Sequence, residues 1–195
     1  MRKAEITRKT NETDITVSLN LDGQGQCRSD TGIGFFDHML DHLAGHGLFD
    51  LEVRAVGDLH VDHHHTVEDV GICVGNALKN ALGDKSGVRR YGGALTPMDE
   101  ALASVALDLS GRPLLVYSNP LDDRRAGEFL LDLVPVFLQA LADRAGITLH
   151  VSVPMGENPH HAAEAVFKAL GRALREAVES DPRSTAIPST KGVLE

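Results

Sequence analysis

The stretch His64-His65-Thr66-Val67-Glu68 recurs as His160-His161-Ala162-Ala163-Glu164, almost a hundred residues later. Both read HHxxE, and both open a run with helical apolar spacing. After the first come Val67, Val70, Val74, Ala77, Leu78 and Leu82, which predict a helix over 66–82. After the second come Ala165, Val166, Ala169, Leu170, Ala173 and Leu174, which predict one over 161–178. Working outward, the segments before each copy also match. Residues 14–21 alternate as a strand, 34–47 read as a helix ended by Gly45 and Gly47, and 48–56 alternate again. In the second half, 95–108 and 114–118 read as strands, 131–145 as a helix ended by Gly146, and 147–153 as a strand. Strand, helix, strand, helix therefore occurs twice, which marks a diverged internal duplication. The halves fall at about 1–92 and 93–180, with an irregular arm over 181–195 that holds Pro182 and Pro188. Neither half is large enough for a robust core alone, so a single domain over 1–195 is expected. The halves either pack sheet against sheet or share one mixed sheet covered by helices.

The 195 residues carry a formal net charge of −9, with 42% hydrophobic and 24% charged residues. That is a soluble globular profile. It argues against nucleic acid and anionic membranes as partners, because both select a basic footprint. A small anionic substrate needs only a few focused arginines. Cys27 and Cys73 form no CxxC or zinc-finger spacing and read as reduced thiols. The N-terminus lacks an apolar signal core, and no apolar run approaches the ~18 residues that span a bilayer. A cytoplasmic protein is expected.

Ten histidines stand out, seven of them between His38 and His65. In each HHxxE helix the second His and the Glu are i and i+3 and share a face, while the first His sits roughly 100° around the axis. Adjacent histidines on a regular helix therefore serve two different ions. Two facing HHxxE helices would share two metals, each taking a His and a Glu from one helix and a His from the other. Each ion needs one more protein ligand. His38 lies in the helix before the first copy, but the equivalent place in the second half is Val136, so the duplication is chemically asymmetric there. Mixed His and carboxylate donors suit manganese(II), iron(II) or zinc; manganese is favoured, with zinc second. A second constellation is anionic in its target: Arg89-Arg90, Arg112 in Ser110-Gly111-Arg112-Pro113, and Ser189-Thr190-Lys191-Gly192 in the arm. Hydroxyl, ammonium and backbone donors beside glycine wrap an oxyanion, which points to a phosphate pocket, and the arm can serve a neighbouring subunit.

Phe36-Asp37-His38-Met39-Leu40-Asp41-His42, Asp62-His63-His64-His65-Thr66-Val67-Glu68-Asp69, the stretch from Asn158 to Leu174 and Pro188-Ser189-Thr190-Lys191-Gly192 together resemble the imidazoleglycerol-phosphate dehydratase family. The likeness runs from Arg8 to Gly192 and fits the monofunctional form. It implies an α+β fold of two similar half-domains, with β-sheets packed against paired helices. It implies a lyase of histidine biosynthesis that dehydrates D-erythro-imidazole glycerol phosphate to imidazole acetol phosphate, and a homo-oligomer of twenty-four subunits with active sites between them. It implies two manganese ions, one on His38, His65, Glu68 and His160, the other on His64, His161 and Glu164. The family's further His for the second ion falls at Val136, and His150, in a strand, is a poor substitute. Substrate contacts are implied for Glu12, the His38 to His46 segment including His42, Arg90, Arg112, His160, Lys168, Ser189, Thr190 and Lys191.

The proton to be removed has no adjacent carbonyl to acidify it. Metal binding to both ring nitrogens favours the imidazolate, whose electrons expel the hydroxyl. Glu12 is the general acid/base candidate, with Glu68, Glu164, His42 and His46 as rivals. A non-catalytic metal-binding shell would have no use for the anion set, and a di-metal phosphate-ester hydrolase is disfavoured by sites with few bridging aspartates.

Overall fold

A computed structural model describes residues 2–194. Two four-stranded sheets enclose two layers of helices. The first half runs β1 (Lys3–Lys9), β2 (Thr13–Asn20), β3 (Cys27–Asp30), α1 (Gly34–Gly47), β4 (Asp50–Gly57) and α2 (His64–Leu82). The second runs β5 (Tyr91–Met98), β6 (Ala101–Asp108), β7 (Leu114–Ser118), a small hairpin β8 (Arg125–Ala126) and β9 (Phe129–Leu130), α3 (Leu133–Ala145), β10 (Thr148–Met155) and α4 (Pro159–Val178). The sheet orders β1-β2-β4-β3 and β5-β6-β10-β7 correspond strand for strand, each with a parallel last pair. The fold is α+β with two similar halves, as the repeat and the resemblance lead one to expect.

Two sequence expectations are corrected, and two strands lie outside the sequence reading. The run 95–108 is two strands, because Asp99 takes a left-handed backbone (φ 49°) and Asp99-Glu100 turns the chain into a hairpin. Strands β1 and β3 carry too few apolar residues to alternate visibly; both are outer strands of their sheet. The two HHxxE helices do not face one another within the chain. α2 lies against α3, and α4 against α1, so each helix pair joins one half to the other.

Glycines set those two crossings. A Cβ on Gly75 would lie 2.7 Å from the Leu141 carbonyl oxygen, and one on Gly171 would lie 2.6 Å from that of Leu43. Gly75 and Gly171 follow their HHxxE glutamates by the same seven residues. The buried side chains form one cluster that spans both halves, with Phe36, Phe129, Phe137 and Phe167 stacked or edge-on through the middle. The helices also turn out of their ends in similar ways: Leu48 and Gly146 adopt left-handed backbone after α1 and α3, leading into β4 and β10.

Candidate metal centre and anion pocket

At the α1–α4 crossing, His38 and His42 from α1 meet His160, Glu164 and Lys168 from α4. The last three are spaced i, i+4, i+8, so they share one face. Asn158 caps α4 through its side chain, which accepts from the His160 N–H, and Pro159 follows at the first helical position. That fixes His160 at the mouth of the crossing. Glu164 is buried (6% exposed) and its carboxylate is the hub. Oε1 accepts from Lys168 Nζ (2.5 Å) and lies 3.1 Å from His42 Nε2; Oε2 lies 3.1 Å from His160 Nε2 and 3.8 Å from His38 Nε2. Burial alone would raise the Glu164 carboxyl, but Lys168 and the facing histidines hold it below its ordinary value. Burial lowers the His42 pKa, against the opposing pull of the Glu164 carboxylate beside it.

His38, His160 and Glu164 offer three donor atoms within 4.8 Å of one another. Donors about 2.1 Å from a shared ion lie roughly 3–3.5 Å apart, so His160, His38 and Glu164 fit a divalent cation with small side-chain shifts. This is the one such grouping among the described residues. The resemblance places His38 and His160 on one ion and Glu164 on the other; in a single chain all three sit together. His161 was expected to share a face with Glu164. It turns instead to the β5–β6 hairpin, where Glu100 Oε2 lies 2.7 Å from its Nδ1.

The equivalent crossing of α2 and α3 is chemically thinner. His64 and Glu68 line a cleft of about 530 Å³ with Val136, Gln139 and Arg144, and Val136 supplies no donor where α1 has His38. His65 leaves this cleft: its Nδ1 lies 3.0 Å from Asp58 Oδ2 and 3.9 Å from Glu12 Oε2. Glu12 is exposed on the β1–β2 turn. Buried Asp69, beside Glu68, anchors that turn by accepting from Thr13 Oγ1 (2.5 Å) and Arg8 Nε (3.1 Å). Within one chain His64, His65, Glu68 and His161 are therefore not gathered with the His38 group.

The arm closes the second site. Arg90, Arg112, Ser189, Thr190 and Lys191 line one pocket of about 400 Å³. Arg90 has a left-handed backbone (φ 76°) and donates Nε and Nη2 to Asp108 (2.7 and 3.0 Å) and Nη1 to the Pro188 carbonyl (2.9 Å). It is thus the strut that holds the arm. Buried Ser110 accepts from the Arg112 N–H and fixes its loop; among the described residues the Arg112 guanidinium has no acceptor and is free for an anion. Lys168, grouped with this set by the resemblance, lies with Glu164. His46 follows His42 along α1, its ring 6.0 Å from that of His42, and burial with nearby Lys168 and Arg172 lowers its pKa.

Asp58, Glu100, Asp69 and Asp108 were not singled out from the sequence. Asp69 had a signal, a carboxylate on the apolar face of α2. Glu100 and Asp58 lie in turns, with nothing local to mark them.

A family model described as imidazoleglycerol-phosphate dehydratase matches residues 31–174. Curated relatives of that name are 60% identical in Cereibacter sphaeroides, over the whole of both chains, and 57% identical in Acetivibrio thermocellus, over 99% of each. The crystal structure of imidazoleglycerol-phosphate dehydratase from Staphylococcus aureus subsp. aureus N315 superposes with a TM-score of 0.83 at 36% identity, covering 92% of this chain and 99% of that one. The structure of IGPD from Pyrococcus furiosus in complex with (S)-C348 superposes with a TM-score of 0.84 at 38% identity, covering 97% and 100%.

Proposed function

Given that the chain belongs to the imidazoleglycerol-phosphate dehydratase family and is a hydro-lyase of histidine biosynthesis acting on a small phosphate substrate, we propose that it converts D-erythro-imidazole glycerol phosphate to imidazole acetol phosphate and water. The observation that carries this is the pairing of a His–His–Glu donor group with a basic pocket closed by the arm. A metal-binding shell has no use for the second feature.

Two manganese ions, one on His38, His65, Glu68 and His160 and the other on His64, His161 and Glu164, with donors drawn from more than one copy, would lower the pKa of the substrate's ring and orient it. Arg112 and Lys191, with the Ser189 and Thr190 hydroxyls, hold the phosphate and so fix the glycerol chain relative to the ring. Glu12, exposed at its turn and 3.9 Å from His65, moves the proton on the carbon beside the ring. Buried Glu164, already engaged by Lys168, serves as a metal ligand rather than carrying protons.

The two crossings of one chain are unlike half-sites, rich at α1–α4 and poor at α2–α3. Complementing one with the other from a second copy supports inter-subunit active sites in a homo-oligomer, for which the family resemblance implies twenty-four subunits. The outer face of the β5-β6-β10-β7 sheet supports self-association too, since it leaves Tyr91, Leu95, Leu114 and Val116 exposed. No described helix is long and apolar enough to cross a membrane, and we place the protein in the cytoplasm. The test is turnover of imidazole glycerol phosphate by metal-stripped protein with and without manganese. Keto product only with the metal is expected. Dehydration that survives chelator would sink the metal reading, and release of free phosphate would make the protein a hydrolase.

A further inference from the structure

The second histidine of each HHxxE motif is held in the same way. Glu100 Oε2 lies 2.7 Å from His161 Nδ1, and Asp58 Oδ2 lies 3.0 Å from His65 Nδ1. An ionised carboxylate only accepts, so each Nδ1 carries the proton, and in the neutral imidazole the lone pair is then on Nε2, which for His161 lies 3.9 Å from Asp99 Oδ2. The other halves of the two carboxylates differ. Glu100 Oε1 accepts from two backbone donors, the N–H of Asn158 (2.8 Å) and of Glu157 (3.2 Å), which ties the β5–β6 turn to the start of α4. Among the described residues, Asp58 Oδ1 is buried with no hydrogen-bond partner.

We propose that Glu100 and Asp58 are positioning residues, which fix the tautomer and orientation of His161 and His65 so that Nε2 of each is the atom offered to a metal ion. This rests on reading His65 and His161 as ligands, as proposed above. A carboxylate behind a ligating imidazole both orients the ring and raises its basicity.

The difference at the far oxygens makes the two positions respond oppositely to the isosteric amide. In Glu100→Gln, two fixed N–H donors demand the single carbonyl oxygen. The amide NH2 then faces His161 Nδ1, which must accept, and the proton moves to Nε2, where it blocks the ion. In Asp58→Asn, nothing competes for the oxygen, so the amide turns it to His65 Nδ1 and the tautomer is kept.

The test is manganese(II) binding to the full-length protein, followed by the electron paramagnetic resonance signal of the free ion, with circular dichroism as the control for folding. Glu100→Gln is expected to weaken one class of manganese site by roughly 10–100-fold, Asp58→Asn by less than about threefold, and Asp58→Leu by as much as Glu100→Gln. Equal affinities for Glu100→Gln and wild type overturn the proposal. So does a loss in Asp58→Asn as large as that in Asp58→Leu. His161→Ala separates the two readings: wild-type manganese binding in that variant means that His161 is no ligand, and the underlying metal assignment fails instead. If Glu100→Gln does not fold, the Asp58 pair alone decides, because its two variants must differ.

Discussion

Arg90 and Arg112 line the same pocket with different work to do, and their alanine variants should part accordingly. The Arg112 guanidinium is free, so Arg112→Ala removes charge-assisted contacts to the phosphate worth about 1.5–3 kcal/mol. The Michaelis constant should rise roughly ten- to a hundredfold with kcat little changed, and the melting temperature should hold; an unchanged Michaelis constant would remove Arg112 from the pocket. Arg90→Ala also strands Asp108 and frees the Pro188 carbonyl, so it should lower the melting temperature as well, which a thermal denaturation scan reads. The thiols make a second test. Burial, with Asp41 beside it, pushes Cys27 up to about 12, and burial pushes Cys73 up to about 11. A folded-state pKa above the ordinary value means less thiolate at every pH below it. Labelling by a disulfide reagent at pH 8 should therefore be far slower in the native chain than in denaturant, and a native rate equal to the denatured one would contradict it. At this scale the metal-ligating types were legible in the sequence because HHxxE is a local pattern. The direction of His161 was not: helical spacing offered it Glu164 at i+3, but Glu164 faces α1 and pairs with His160 at i+4, while Glu100 comes from a turn sixty residues away.

The elements themselves were mostly legible where apolar residues repeat. The spacing predicts a helix over 34–47 and the structure has Gly34–Gly47; it predicts 131–145 and the structure has Leu133–Ala145, because the chain still turns after the β8–β9 hairpin. Which helices pair was not legible. Amphipathic faces say that a helix is covered, not by what, and the deciding residues are glycines with no side chain to read. Gly171→Ala tests their role. Alanine favours helix by about 1 kcal/mol over glycine, but its Cβ would meet the Leu43 carbonyl at 2.6 Å and the Gly47 nitrogen at 3.0 Å. Rigid backbone cannot yield as a side chain does, so overpacking wins, at about 1–3 kcal/mol. A lower denaturant midpoint is the expected result, together with weaker manganese binding as α1 and α4 separate; a more stable variant would show that the crossing has slack.

For the molecule as a whole, the arm is the part that joins site to scaffold with least cost to the core. Its ties are few: Gly87 N–H to the Ala186 carbonyl, Asp181 N–H to the Gly87 carbonyl, and Arg90 to the Pro188 carbonyl. Ending the chain after Ile187 keeps the first two. The truncated protein should melt within a few degrees of the full chain and turn over substrate with a Michaelis constant raised at least tenfold. Kinetics matching the full chain would show that the Ser189-Thr190-Lys191 donors do not bind the phosphate. The duplication was legible in the sequence because it repeats at every level, from HHxxE to strand order. The gathering of donors was not, since it depends on crossings between halves and, in the proposed assembly, between copies.

The glycine crossings have a consequence for how such a site can change over time. Helix spacing at Gly75 and Gly171 is fixed by main chain touching main chain, and no residue is smaller than glycine. The frame therefore does not drift as the side chains around it are exchanged. A histidine at one crossing and Val136 at the other can stand on equivalent helices, so the ligands are free to diverge within a scaffold that stays in register.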